Sequence, residues 1–148
     1  MNELVSIIIP LYNQGEYIEE TLNSVKQQSY SNYELIIVDD GSNDQFTIEK
    51  IKELRFKGYT IISKQNGGLA SARNEGIRNA TGKYIIVLDS DDIIHRDYIK
   101  NLLEVITNTK ARIVYSKALL FEYRTGMWML PSFTMRRMLK SNIIFCSA

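Results

Sequence analysis

Short apolar runs alternate with longer amphipathic stretches along most of the chain. The runs fall at 4–9, 35–38, 59–62, 84–88 and 113–115, and most are dense in isoleucine and valine with little polar alternation. Such runs predict strands buried on both faces. Between them, apolar residues return at helical spacing. Ile18, Leu22 and Val25 form one stripe, and Ile48, Ile51 and Leu54 form the next. Leu69, Ala72, Gly76 and Ala80 form a narrower stripe, whose small side chains would let a helix approach a sheet closely. Ile99, Leu102, Leu103 and Ile106 complete the set. Strand and helix alternating at this spacing predict an α/β fold: a doubly wound, mostly parallel sheet flanked by helices. The remainder reads differently. Segments 117–123 and 127–130, joined by Arg124-Thr125-Gly126, predict a C-terminal β-hairpin. Pro131 and Ser132 then open a short helix carrying Phe133 and Leu139, and Asn142 to Ala148 is again largely apolar.

Ligands of open parallel sheets sit outside the carboxyl ends of the strands, so the residues that follow each run are the candidates. The first run ends in Pro10-Leu11-Tyr12-Asn13 and the second in Asp39-Asp40-Gly41-Ser42. The third leads to Asn66-Gly67-Gly68 and a helix, and the fourth ends in Asp89-Ser90-Asp91-Asp92. One rim thus gathers an aromatic, two acidic clusters and a glycine pair. Three carboxylates within four residues repel one another unless a cation sits among them. Mg²⁺ or Mn²⁺ takes few carboxylates and adds phosphate oxygens, so Asp89–Asp92 suits a metal–diphosphate site. The competing reading is a turn whose aspartates cap the next helix. Calcium-loop chemistry fails, because Ile94 stands where glycine is needed.

Asp39 and Asp40 likewise have two readings. A carboxylate there can accept from an imide or a ribose hydroxyl, or the segment is a plain turn with Ser42, Asn43 or Asp44 as helix cap. Tyr12 can stack on a base beside Asp40 or pack as a strand-end aromatic. Asn66, Gly67 and Gly68 let backbone approach a ligand. Arg73, one turn into the next helix, matches diphosphate or sugar oxygens, or pairs at the surface with an acid such as Glu75. His95, the only histidine, reads as a surface residue at a helix start.

Composition narrows the classes. At 148 residues the chain is the size of one domain, and 45% hydrophobic with 24% charged residues is a globular mix. A net charge of +1 offers no field for nucleic acid or anionic lipid, so no nucleic-acid partner is expected. Cys146 stands alone and cannot form an internal disulfide, which fits a reducing compartment. Neither a leader pattern nor an apolar run of about 20 residues is present. The expected address is cytoplasmic, with a membrane-peripheral place for the full-length protein left open. The nicotinamide fingerprint G-x-G-x-x-G is missing after the first run, and so is a P-loop. A phospho-acceptor domain would carry its acidic pair after strand one, whereas here the acids follow strands two and four.

In this order the motifs resemble glycosyltransferase family 2. The matching pieces are Val5-Ser6-Ile7-Ile8-Ile9-Pro10-Leu11-Tyr12-Asn13, Ser24-Val25 with Gln27-Gln28-Ser29-Tyr30, and Tyr33-Glu34-Leu35-Ile36-Ile37-Val38-Asp39-Asp40-Gly41-Ser42. Asn66-Gly67-Gly68-Leu69 with Ala72-Arg73-Asn74 and Gly76 follow, then Gly82-Lys83-Tyr84-Ile85 leading to Leu88-Asp89-Ser90-Asp91-Asp92. Each piece is weak alone; five in register over 4–108 are specific.

The resemblance implies a GT-A fold and inverting transfer from a nucleotide-sugar donor, usually a UDP-sugar, with Mn²⁺ or Mg²⁺ as cofactor. The acceptor would be a saccharide or a lipid-linked saccharide. Tyr12 and Asp40, with Pro10 backbone, would hold the base. Asp89 would hold ribose or a metal-bound water, Asp91 the metal, and Asp92 is a further candidate ligand. Arg73 would lie near the diphosphate. The family's general base is a carboxylate in the acceptor half, yet no acid follows Glu122 and the last 26 residues carry four bases. No catalytic base is therefore assigned within the chain, and one is expected beyond Ala148. The expectation is a single GT-A domain over 1–148, cut short at its C-terminal end. Residues 1–110 would form the nucleotide-binding half and 111–148 the start of the acceptor half. Such a chain would bind donor, transfer poorly and self-associate through its truncated edge. The alternative is a donor-binding module without catalysis.

Overall fold

A computed structural model of the protein describes residues 2–121, 125–128 and 136. The chain falls into two compact units, 1–98 and 99–148. The first holds strands β1 (Val5–Leu11), β2 (Tyr33–Asp39), β3 (Thr60–Ser63) and β4 (Tyr84–Val87). Helices α1 (Ile18–Lys26), α2 (Gln45–Phe56) and α3 (Leu69–Asn79) connect them. The strands form one parallel sheet in the order β3-β2-β1-β4. The chain thus steps outward from β1 to β3, then crosses back over β1 to β4. Right-handed crossovers place α1 and α2 on one face of such a sheet and α3 on the other. This is the doubly wound architecture that the alternating pattern predicts.

The side chains agree. Ile8, Ile36 and Val38 pack with Ala72 of α3, with Ile62 and Ala80 at the margin. Residues of the opposite parity, Ile7, Ile9, Leu11 and Ile37, are buried on the other face, as are Ile18, Leu22 and Val25 of α1 and Ile51 and Leu54 of α2. Each such aliphatic contributes roughly 1.5–3 kcal/mol by leaving water. Gly76 sets the spacing of α3 from β1: a Cβ there would overlap Ile8 Cγ2 and come within 3.3 Å of Ile8 Cβ.

Pro10 opens the sheet where it matters. Ile8 O accepts from Leu88 N at 2.9 Å on the β4 side, and Leu11 O accepts from Asp40 N at 2.9 Å on the β2 side. Backbone groups of a strand alternate sides, so Pro10, two residues past Ile8, faces β4. It has no N–H to give, and β1–β4 pairing stops at Ile8↔Val87 while β1–β2 pairing runs on to Leu11↔Asp39. The two strands part there, at the point where the strand order reverses.

The opposite end of the sheet is clamped by Glu34. Its Oε1 accepts from Ser6 Oγ (2.5 Å), Thr81 N (2.6 Å), Thr81 Oγ1 (2.9 Å) and Gly82 N (3.1 Å), tying the α3–β4 connection to β1 and β2. Burial pushes this carboxyl up, but the hydrogen bonds from Ser6, Thr81 and Gly82 prevail and hold it below the ordinary value. Its contribution is therefore fully present above the unfolded-state value of about 4.3 and fades as pH falls through the lower folded value. Glu34→Gln is expected to melt earlier than the parent at pH 7, with the gap closing below about pH 4. A gap that is constant with pH in thermal melts would refute this assignment.

The second unit contains α4, whose span is Tyr98–Asn108, with Ile99 and Leu103 buried. It also contains an antiparallel hairpin of β5 (Ala118–Leu120) and β6 (Gly126–Trp128), paired from Ala118↔Trp128 to Leu120↔Gly126. The hairpin is thus confirmed, shorter than its sequence pattern. The run 113–115 is not a strand. Its residues are β-formers, but Ile113 is 72% exposed, and among the described residues no strand pairs with it. The helix expected from Pro131, the apolar stretch from Asn142 to Ala148, Glu122 and Cys146 lie outside the described residues. The expectations of a catalytic base beyond Ala148 and of a self-associating edge lie outside them too. Among the described residues no helix is long and apolar enough to cross a membrane.

Candidate functional site

The rim at the carboxyl ends of β1, β2 and β4 is built from loops that fasten one another. Asn13 follows β1 with φ 53°, a left-handed conformation that asparagine tolerates. Its Oδ1 accepts from Asn43 N (2.9 Å) and Asp44 N (3.3 Å), and its Nδ2 donates to Asn43 Oδ1 at 2.8 Å. Asp44 caps α2 by accepting from Thr47 N at 2.8 Å, so the capping alternative is realised by one of its three candidates. Thr47 Oγ1 in turn accepts from Gly15 N at 2.8 Å.

The two carboxylates after β2 do different things. Asp39 Oδ1 accepts from Ser42 N (2.9 Å), and its Oδ2 accepts from Ser63 Oγ (2.8 Å). Both oxygens serve the loop and β3, so this side chain holds the rim together. Asp40 turns to the glycine pair. Its Oδ2 accepts from Gly68 N at 2.7 Å, and Gly67 N reaches both oxygens at 3.1 and 3.2 Å. Lys64 Nζ donates to Oδ1 at 2.5 Å. Gly41, with φ +74°, lets this turn sit against the next loop; a Cβ there would stand 2.8 Å from Asn66 N. Asn66, Gly67 and Gly68 are exposed, and so is Tyr12, at 43%, immediately beyond β1.

After β4, Asp89 is buried, and its Oδ1 accepts from Arg73 Nη2 at 2.7 Å. Arg73 pairs there and not with Glu75, whose partner is Arg78. Asp89 Oδ2 is also buried and has no hydrogen-bond partner among the described residues. Asp91 is exposed and accepts from Gln14 Nε2 at 3.1 Å, while Gln14 Oε1 accepts from Ser90 Oγ at 2.5 Å. From α1, Thr21 Oγ1 donates to Ser90 O (2.8 Å), and Ser24 Oγ accepts from Ile94 N (3.2 Å). The acidic turn is thus held from three sides. It does not cap the next helix, which starts only at Tyr98. The three carboxylates do not converge either: among the described residues no group of three His, Cys, Asp or Glu forms a metal cluster. Asp89 meets Arg73 and Asp91 meets Gln14, which relieves the repulsion that the bare sequence suggests. His95 is exposed, as its isolation in the sequence implies.

The rim thus carries two groups: Asp40 with Lys64, Gly67 and Gly68 beyond β2, and Asp89 with Arg73 and Asp91 with Gln14 beyond β4. The profile of glycosyl transferase family 2 matches residues 6–148. The chain belongs to glycosyltransferase family 2.

The solved structures that this chain resembles are GT-A-type glycosyltransferases, and its parallel sheet flanked by helices matches theirs. The mannosyltransferase PcManGT from Pyrobaculum calidifontis, solved with GDP-Man and Mn²⁺, superposes with a TM-score of 0.61 at 29% identity, over 68% of this chain and 31% of that one. TarS of S. aureus, solved with UDP-GlcNAc, gives 0.59 at 34% identity over 70% and 31%. The amylovoran biosynthesis glycosyltransferase AmsB of Erwinia amylovora is 36% identical over 137 residues, which is 85% of this chain and 45% of AmsB. The chain spans less than half the length of AmsB and of other curated relatives it matches.

Gln14, Thr21, Ser24 and Lys64 are the rim residues that sequence reasoning missed. Thr21 and Ser24 interrupt the apolar face of α1 and are buried there. A polar residue on a buried stripe was the available signal, since it must find a partner.

Proposed function

We propose that this protein carries the donor site for metal-dependent, inverting transfer of a sugar from a nucleotide-sugar, UDP-linked in the first instance. The acceptor is a hydroxyl of a saccharide or lipid-linked saccharide, in polysaccharide or glycoconjugate biosynthesis. One observation carries the reading: the buried Oδ2 of Asp89, without a partner at the mouth where β1 and β4 part. A buried carboxylate oxygen left without a donor is costly. A ribose hydroxyl or a divalent cation supplies what it lacks. The complexes of similar proteins with GDP-Man and Mn²⁺ and with UDP-GlcNAc support both partners.

The donor set fits Mn²⁺ or Mg²⁺. Asp91, exposed and steadied by Gln14, would hold the ion with Asp89, and Asp92 is the remaining candidate ligand. Such ions take one or two carboxylates and complete their shell with phosphate oxygens and water. When bound, the ion neutralises charge on the leaving diphosphate. The chain's own residues do the rest. Tyr12 offers a ring face for the base, and Asp40 accepts the base N–H. Pro10 keeps the crevice open. Asn66 and Gly68 bring backbone close to the donor, and Asp39 fixes the loop that carries Asp40. Arg73 fixes Asp89 in place beside the diphosphate. Inversion requires a single in-line attack by the acceptor hydroxyl, deprotonated by a general base. None of the rim carboxylates is assigned that role, because each already has a partner or a ligand.

The test is calorimetric titration of UDP with and without Mn²⁺, on the protein and on Asp91→Ala. Binding is expected to require Mn²⁺ and to fall about tenfold or more in the variant. Equal UDP binding by both proteins, with or without Mn²⁺, would remove the metal from Asp91. Failure of the folded protein to bind UDP, GDP or dTDP would remove the donor site altogether.

A further inference from the structure

The base end of the rim holds a charged pair whose basic partner has no role so far. Lys64 Nζ lies 2.5 Å from Asp40 Oδ1 and 2.5 Å from Gln65 O. The Asp40 side chain is 4% exposed and that of Lys64 is 22% exposed, so solvent reaches the pair from the lysine side. The protein nearly saturates Asp40. Gly68 N takes one oxygen, Lys64 takes the other, and Gly67 N is shared between them. A carboxylate offers about four lone-pair positions; Lys64 and Gly68 fill two, and the single Gly67 N–H, split at 3.1 and 3.2 Å, fills only one of the other two, so one acceptor position remains. An ammonium carries three N–H donors, and Lys64 uses two of them on Asp40 and Gln65. One acceptor and one donor are thus left side by side.

We propose that Lys64 reads the base of the donor by donating to the carbonyl that flanks the N–H accepted by Asp40. The inference rests on the reading of Asp40 as the acceptor for the base. An acceptor beside a donor complements an N–H beside a C=O, the edge that uracil, thymine and guanine share. Cytosine and adenine present the reverse: an unprotonated ring nitrogen beside an amino group. Against this pair, that edge sets acceptor to acceptor and donor to donor, and rejection is built from such mismatches. Lysine also carries charge toward a diphosphate, so the experiment has to separate reading from simple attraction.

UDP and CDP are the probes, because they differ only at that edge and carry the same diphosphate. Each is titrated with saturating Mn²⁺ into the protein, Lys64→Met, Lys64→Arg and Asp40→Asn, with folding verified by circular dichroism and thermal melting. The unaltered protein is expected to prefer UDP by about 100-fold or more. Lys64→Met is expected to lose UDP affinity about tenfold, with CDP little changed, so that the preference narrows by the same factor. Lys64→Arg should recover part of it. Equal losses for UDP and CDP would mean a counter-charge only and would overturn the proposal, as would unchanged UDP binding. Asp40→Asn separates the two layers. If it leaves UDP binding intact, the base is not read at Asp40 and the inference falls with that reading. If it abolishes the UDP preference while Lys64→Met does not, the lysine's role alone is refuted. Should GDP bind better than UDP, ADP replaces CDP as its mismatched partner.

Discussion

Arg73→Met is expected to destabilise the protein by about 2–4 kcal/mol, and Mn²⁺ is expected to restore part of the loss. The reasoning starts from Asp89. Its carboxylate is buried, Arg73 is bonded to one oxygen at 2.7 Å, and the other oxygen has no partner among the described residues. Breaking a buried ion pair from one side costs about 3–5 kcal/mol, because an uncompensated charge stays behind. The figure is reduced here because the Arg73 side chain is 19% exposed and solvent screens it in part. A cation held by Asp89 and Asp91 binds the folded state only, so it should raise the variant's stability more than the parent's. Urea melts of both proteins with and without Mn²⁺ measure this. A variant within about 1 kcal/mol of the parent would show that the pair contributes little to the fold. An equal response of both proteins to Mn²⁺ would show that the ion does not sit on Asp89. Arg73→Lys should fall between, since lysine keeps the charge without the planar fork.

That prediction could not have been written from the sequence, and the reason is physical. The order of elements was legible because apolar spacing reports burial, and burial dominates local structure. The runs at 4–9, 35–38, 59–62 and 84–88 became β1 to β4 with no end displaced by more than two residues. The rim was legible because topology dictates that strand ends, not strand middles, meet ligands. What stayed hidden were pairings across long stretches of chain: Arg73 with Asp89, Lys64 with Asp40, and Gln14 with Asp91 across 77 residues. Spacing says nothing about which loop a side chain will face once the sheet has closed. The same limit explains the run 113–115, whose β-propensity was real but had no partner strand to act on. It explains Asp39 as well. As one half of an acidic pair it read as a ligand, yet Ser42 and Ser63 take both of its oxygens. A strand needs a neighbour and a ligand residue needs an unfilled valence, and neither is a local property.

Gly76 was legible in part, as a small residue on a narrow helical stripe, and it carries the other large expected effect. Gly76→Val is expected to cost about 3 kcal/mol or more, enough to unfold a sizeable fraction of a domain of ordinary stability. Even the first added carbon overlaps Ile8 Cγ2 and lies 3.2 Å from Ile8 Cγ1. Ile8 cannot yield, since it is fully buried at the centre of the sheet between β2 and β4. Helix α3 would have to lift from β1. It carries Arg73 toward Asp89, and its first turn follows the glycines that hold Asp40. The donor site should therefore loosen together with the fold. Gly76→Ala tests the mechanism more finely, because alanine favours a helix by about 1 kcal/mol over glycine and so opposes the clash. If the contact with Ile8 decides the outcome, Gly76→Ala combined with Ile8→Ala should be less destabilised than the sum of the two single variants. The new methyl then fills space that the isoleucine vacated. Additive losses in a double-mutant cycle would mean that glycine is needed at this position for another reason than its contact with β1.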